Sequence, residues 1–161
     1  MSNDFFISFY YYKTLLFCKK ECYINPAPGS GFEYEDTLFP WEGNGKLTSK
    51  TASEGKHSAE LQKGNSIYQY VYLDHSTNYE LSFKAKESGK LRAKIDNIAM
   101  VTGKAENTFE ETVNLDSGFN DYKLSFSTDA EYGNHMRTVK VSFVNEGTEP
   151  LFLDDIRIIK E

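Results

Sequence analysis

The sequence predicts an all-β fold, an antiparallel sandwich or barrel, and three observations carry that expectation. Segment after segment alternates apolar and polar residues at the two-residue period of a strand. Clusters of Gly, Asn, Asp and Ser separate these segments at short intervals. No segment shows helical periodicity, which excludes architectures in which helices connect parallel strands.

Taken in order, residues 1–23 read differently from the rest. Phe5-Phe6-Ile7-Ser8-Phe9-Tyr10-Tyr11-Tyr12 is an aromatic run without clean periodicity, followed by Leu15-Leu16-Phe17-Cys18. An export signal calls for a basic start and small residues before the cleavage point, whereas this segment begins Asn3-Asp4 and meets small residues only near Ala27 to Gly31. Three readings of this lead-in stay open: an imperfect export signal, an extra strand, or a poorly ordered extension. The run from Phe5 to Phe17 contains Lys13 and is too short to span a bilayer. Cys18 and Cys22 make a poor zinc pair with no histidine nearby, so a free or loosely paired thiol set is expected.

Asn25-Pro26-Ala27-Pro28-Gly29-Ser30-Gly31 is turn and linker chemistry, and a single domain is expected over residues 24–161. Within it, Ile67, Gln69, Val71 and Leu73 oppose Tyr68, Tyr70 and Tyr72. Tyr79, Leu81, Phe83 and Ala85 alternate with Glu80, Ser82, Lys84 and Lys86. Leu91, Ala93 and Ile95 alternate with Arg92, Lys94 and Asp96. Tyr122, Leu124 and Phe126 form a further apolar face, as do Val139, Val141 and Phe143. Lys63-Gly64-Asn65, Asp74-His75-Ser76, Glu87-Ser88-Gly89, Asp116-Ser117-Gly118 and Glu146-Gly147 are the turns between them.

The final strand, Pro150 to Ile159, carries the least expected residue. At strict alternation Phe152, Asp154, Ile156 and Ile158 share one face, and Leu151, Leu153, Asp155, Arg157 and Ile159 the other. Asp154 then points inward among apolar neighbours, which is costly unless a cation or several donors meet its carboxylate. A hard metal ion at the sandwich edge is one solution; bonds to backbone amides or to Arg157 are the other.

Net charge of −6 argues against binding a nucleic-acid backbone, and neither a basic block nor an acidic tail is present. The 12 Phe and 11 Tyr suit both ordinary β-structure and an aromatic binding surface. No Ser/His/Asp signature, nucleophile elbow or phosphate-cradling glycine loop appears. Glycoside hydrolysis needs two carboxylates across a cleft, and Glu110-Glu111 and Asp154-Asp155 are strand neighbours whose side chains diverge. Turnover is not expected.

Several motifs, in order, resemble a family. Gly31-Phe32-Glu33, Trp41, Gly55-Lys56-His57-Ser58-Ala59-Glu60-Leu61, Ile67 to Leu73, Asn78 to Lys86, Phe119-Asn120-Asp121-Tyr122 and Leu153-Asp154-Asp155-Ile156 form a series. That series is similar to the β-jelly-roll carbohydrate-binding modules of the family 4, 9, 16 and 22 type, over roughly residues 24–161. The resemblance implies a two-sheet antiparallel β-sandwich (jelly roll) and a structural calcium ion tying the N-terminal region to the last strand. It implies Glu33 and Asp154 as side-chain ligands, with backbone carbonyls near Gly31, Gly55 and Lys56 completing an oxygen shell. The start departs from the pattern, because the 25–31 segment is longer than the usual compact Asn-Pro-Gly-Phe-Glu.

For ligand binding, Tyr68, Tyr70 and Tyr72 form a same-face row with a spacing of roughly 7 Å. Tyrosine offers an apolar ring for sugar C–H faces and a hydroxyl for hydrogen bonds. The resemblance implies a concave sheet, on which such a row would serve as a platform for several sugar units. Gln69 is either a buried hydrogen bonder or a rim contact. Trp41 is core or platform, and Arg92, with Lys94 and Asp96, adds hydrogen bonds or simply faces solvent. The expected function is non-catalytic binding of polysaccharide or oligosaccharide, in an extracellular or cell-surface setting and as a partner of a glycan-degrading enzyme. The alternative is an adhesion or protein-interaction sandwich without sugar binding.

Overall fold

Ten strands in two five-stranded antiparallel sheets make up the fold, with no helix among the described residues. The computed structural model describes residues 24–34, 36–98, 103–129 and 138–161. The expectations for residues 1–23, including Cys18 and Cys22, fall outside the described residues.

The strands are β1 (Glu42–Gly43), β2 (Lys46–Thr48), β3 (Ser58–Leu61), β4 (Ser66–Tyr72) and β5 (Asn78–Lys86). They continue as β6 (Gly89–Ile98), β7 (Ala105–Leu115), β8 (Asn120–Ser127), β9 (Thr138–Asn145) and β10 (Leu151–Lys160). The first sheet runs β1-β4-β9-β6-β7 and the second β2-β3-β10-β5-β8. Chain order and sheet order differ because β5, β8 and β10 lie in one sheet while β6, β7 and β9 lie in the other. The connections therefore cross between layers.

Each alternating segment buries the face its pattern predicts. Ile67, Val71, Leu91, Ile95, Val139, Val141 and Phe143 of the first sheet meet Leu81, Phe83, Leu153, Ile156 and Ile158 of the second, all 2% exposed or less. Phe83 and Phe143 join the layers edge to face, with ring centroids 5.0 Å apart, a favoured aromatic arrangement. The ring contacts continue from Phe143 to Trp41 at 5.9 Å, from Trp41 to Phe32 at 6.3 Å, and from Phe83 to Tyr122 at 5.7 Å. The N-terminal segment is thus anchored to the interior by Phe32 and Trp41.

Two features depart from the sequence expectation. The pattern does not announce β7, because its core-side row of Phe109, Glu111 and Val113 includes a charge. Those residues pair with Ile95, Ala93 and Leu91. As an edge strand β7 keeps Glu111 exposed, and such charges discourage pairing with another chain.

The second departure lies in β10. Asp154 pairs with Lys84 and Arg157 with Ser82, so one extra residue is accommodated on β10 as a β-bulge, with Asp155 at φ 46°. The bulge switches the buried parity. Leu151 and Leu153 face the core before it, and Ile156 and Ile158 after it. The strict alternation that grouped Phe152 and Asp154 with Ile156 is therefore incorrect. Asp154 pairs with Lys84, on the outer face of the second sheet, and is buried from that side.

At 4% exposure Trp41 is interior, whereas Tyr70 is 49% exposed. Trp41→Ala is expected to cost about 3–5 kcal/mol in urea denaturation, and Tyr70→Ala less than about 1 kcal/mol. Equal losses would mean that Tyr70 is part of the packing.

Candidate functional site

The outer face of the first sheet is where the tyrosine row emerges. Inward packing of Ile67, Gln69 and Val71 forces Tyr68, Tyr70 and Tyr72 outward, because successive residues of a strand point to opposite faces. Tyr72 is the most open of them, at 62% exposure. Tyr68 and Tyr70 meet edge to face at 5.9 Å, so the row is a stepped surface and not one flat plane. The Tyr68 hydroxyl donates to Glu42 Oε2 at 2.7 Å across the β1–β4 pair, and this carboxylate holds the phenol pKa above its ordinary value.

Register extends the face over β9, β6 and β7. Tyr68 lies beside Ser142, Tyr70 beside Lys140 and Tyr72 beside Thr138. Those in turn lie beside Lys94, Asp96 and Ile98, and Val144 lies beside Arg92. The Lys140 ammonium lies over the Tyr68 ring at 4.2 Å and 5.9 Å from the Tyr70 centroid, a cation–π arrangement. Lys94 Nζ is 3.0 Å from Asp96 Oδ1, which also accepts the Thr108 hydroxyl at 2.7 Å. Arg92 Nε is 3.0 Å from Glu146. The face thus combines apolar rings with donors and acceptors of both signs, the mixture a sugar's C–H and hydroxyl groups require.

Gln69 and Trp41 do not belong to this surface. Gln69 is 5% exposed, donates from Nε2 to the Pro28 carbonyl at 3.0 Å, and is the buried hydrogen bonder of the two roles its position allowed. Trp41 is enclosed between Phe32 and Phe143. Arg92 lies on the outer face with the tyrosines, two strands away across β9.

The two acidic residues expected near a cation sit on either side of one loop. Residues 49–57 connect β2 to β3. The Ser53 and Glu54 amides donate to Asp154 Oδ2 at 2.7 and 3.2 Å, and the Asp155 amide donates to Oδ1 at 2.8 Å. Glu33 Oε1 accepts the Lys56 and His57 amides at 2.6 and 2.7 Å. Gly55, at φ 65°, lies so close to Glu33 that a Cβ there would overlap its carboxylate. Gly31 makes no comparable approach, since a Cβ on it would meet open space.

Their electrostatics differ. Two backbone N–H donors, with His57 adding to them, hold the exposed Glu33 carboxyl below its ordinary pKa. Burial pushes Asp154 above the usual aspartate value, opposed by its three amide donors, and the neighbouring Asp155 charge adds to the upward push. Among the described residues no cationic side chain meets Asp154. Arg157 forks onto Asp155 at 2.8 and 2.9 Å, and Lys84 reaches Glu54 at 3.0 Å and Asp155 at 3.5 Å. Among the described residues no three His, Cys, Asp or Glu side chains converge as a metal-binding group. A cation here would need backbone carbonyls besides Glu33 and Asp154. Both carboxylates are hard-oxygen donors of the class calcium takes, and among the described residues the buried Asp154 is met by amide donors but by no cation.

No protein-family model matches the chain, and no curated protein matches it in sequence. Solved structures match its fold. The carbohydrate-binding module TmCBM61, solved with β-1,4-galactotriose, aligns at a TM-score of 0.64 and 20% identity, covering 86% of this chain and 100% of that one. A family 16 carbohydrate-binding module aligns at 0.63 and 13% identity, covering 84% and 99%. A Stig cyclase from Fischerella sp. TAU aligns at 0.63 and 16% identity, covering 85% and 96%, so the same framework also occurs in an enzyme. Among the described residues no helix is long and apolar enough to cross a membrane. The all-β sandwich built here is the jelly-roll fold of carbohydrate-binding modules.

Proposed function

We propose that this domain binds a polysaccharide or oligosaccharide, without catalysis, on the outer face of the β1-β4-β9-β6-β7 sheet. The observation that carries the reading is the outward tyrosine row, with Tyr70 and Tyr72 exposed and Tyr68 half-buried, bordered by Ser142, Lys140 and Thr138 in register. Sugar C–H faces stack on the exposed rings of Tyr70 and Tyr72, while the half-buried Lys140, Lys94 and Arg92 supply hydrogen bonds to hydroxyls. Because the surface is open and wet, affinity is modest. The fold's occurrence in modules that hold saccharides is in keeping with this reading. A module of this kind serves a glycan-degrading enzyme at an extracellular or cell-surface polysaccharide by keeping it close to its substrate.

The same proposal includes a structural calcium ion held by Glu33 and Asp154, with backbone carbonyls of the Gly31 and Gly55-Lys56 segments. The ion would neutralise Asp154 and fasten the 49–57 loop to β10. It supplies no reactive water in this reading. The physical support is the buried, unpaired charge of Asp154.

Titrating the full chain with soluble polysaccharides should give saturable binding to one class, and Tyr70→Ala should weaken it about tenfold or more, as loss of a stacking anchor does. Full retention of binding in Tyr70→Ala would remove the platform from the reading. A protein partner captured with no response to any glycan would favour an interaction sandwich.

Thermal unfolding with EDTA and then excess calcium should show a lower and then a restored melting temperature, because a ligand of the folded state alone stabilises it. Asp154→Asn should lose most of the calcium response. An identical response in that variant would remove Asp154 as a ligand.

In calcium-free buffer the raised Asp154 pKa means that the folded state binds this proton more tightly than the unfolded chain does. Its contribution to stability is therefore greatest below the ordinary aspartate pKa. That contribution is lost as pH rises from the ordinary value through the raised one. Denaturation midpoints across this window should fall with pH in the wild type and flatten in Asp154→Asn. Saturating calcium should abolish the fall, since the ion stabilises the ionised carboxylate.

A further inference from the structure

We propose that the glycan taken by this face is acidic, a polysaccharide containing uronic acids, and that Lys140 is the residue that recognises its carboxylates. This rests on the sugar-binding reading above and adds the substrate class to it.

Lys140 sits on β9 between two rows of the face, beside Tyr70 on β4 and Asp96 on β6. Its ammonium lies over the tyrosine rings, 4.2 Å from the Tyr68 centroid and 5.9 Å from that of Tyr70. Asp96 already accepts Lys94 at 3.0 Å and the Thr108 hydroxyl at 2.7 Å. On the other side Glu42 accepts the Tyr68 hydroxyl at 2.7 Å. Neither carboxylate makes an ion pair with Lys140. The other basic residues beside it are neutralised locally, Lys94 by Asp96 and Arg92 by Glu146 at 3.0 Å and Glu110 at 3.8 Å.

The result is a positive charge held on the aromatic surface and balanced by π faces alone. Cation–π contact fixes the ammonium without using up its three N–H donors. The ammonium covers the Tyr68 ring, so a pyranose stacked on the neighbouring, more exposed Tyr70 or Tyr72 presents its equatorial substituents beside Lys140. In a uronic acid one of those substituents is a carboxylate. A charge-assisted hydrogen bond is about twice as strong as a neutral one, so a uronate gains more here than a neutral sugar whose hydroxyl takes the same donor. The overall charge of −6 does not oppose this, because exposed charges beyond about 10 Å are screened at ordinary salt.

The test uses the full chain in calorimetric titrations with oligogalacturonate, oligoglucuronate and neutral oligosaccharides of matching linkage. The variants are Lys140→Gln, Lys140→Arg and, as an equal change of charge at the exposed start of β6, Lys90→Gln. The expected result is tighter binding of one uronate series, weakening from about 50 mM to about 500 mM salt. Lys140→Gln should lose about tenfold in affinity for it but less than about twofold for neutral sugars. Lys140→Arg should keep the preference, and Lys90→Gln should change it little. Binding of a neutral series as tightly as any uronate overturns the acidic-glycan assignment and leaves sugar binding intact. So does an equal effect of Lys140→Gln on both classes, since the ammonium then serves only to cover the tyrosines. Failure of every saccharide to bind overturns both readings together.

Discussion

Closure of two apolar sheet faces on one another is the constraint from which the rest of this molecule follows. Phe83 and Phe143, both 2% exposed or less, meet edge to face between the layers, and aliphatic residues of both sheets fill the space around them. Strand geometry then leaves no freedom in the other direction, because each residue sent inward sends its neighbours outward. With Ile67, Gln69 and Val71 committed to the interior, Tyr68, Tyr70 and Tyr72 must lie on the solvent side. The candidate binding surface is the reverse side of the core.

That rule is interrupted once where it matters, at the bulge in β10. One extra residue between Asp154 and Arg157 lets the strand bury Leu153 before it and Ile156 after it. Asp154 is left on the outer face of the second sheet, covered by the loop whose Ser53 and Glu54 amides bond to it. The same loop gives its Lys56 and His57 amides to Glu33. Two carboxylates from opposite ends of the domain are thereby tied to one short connection. The N-terminal segment is fastened further by Asn25, which donates to the Ile156 carbonyl at 2.6 Å and accepts the Ile158 amide at 3.1 Å, as a neighbouring strand's backbone would. Attachment of the start of the domain to its last strand thus has a polar component beside the Phe32 and Trp41 anchor.

Electrostatics separates the two outer faces. Beside Asp154, the charges of Lys84, Glu54, Asp155 and Arg157 are matched with one another, and among the described residues no cation reaches the buried carboxylate. Beside the tyrosines the imbalance has the opposite sign, with Lys140 lying on aromatic rings while its neighbours pair among themselves. The proposed calcium ion would answer the unmatched anion, and the proposed acidic glycan the unmatched cation. Burial distinguishes the two places, since Asp154 is fully covered and Lys140 is half-buried beside the exposed Tyr70 and Tyr72.

Sequence alone determined the fold class, six of the longer strands and the grouping of Tyr68, Tyr70 and Tyr72 on one face opposite Ile67 and Val71, whereas the exposure of that row was decided by the tertiary structure. The fold class, the strands and the grouping depend on a local period that neighbouring residues express together. What only the tertiary structure decided depends on contacts between distant segments. The acidic edge strand β7 is recognised through its pairing with β6, because Glu111 breaks its apolar row. The bulge in β10 is visible only against β5, so the face on which Asp154 lies could not be read from alternation. Trp41 became core, and Gln69 a buried donor to Pro28, because the N-terminal segment folds over that part of the sandwich. Lys140 carried no signal in the sequence, where it is one lysine among many. Its significance arises from β4, β9 and β6 lying side by side, which places its ammonium on two tyrosines from one strand and beside an aspartate from the other that is already paired.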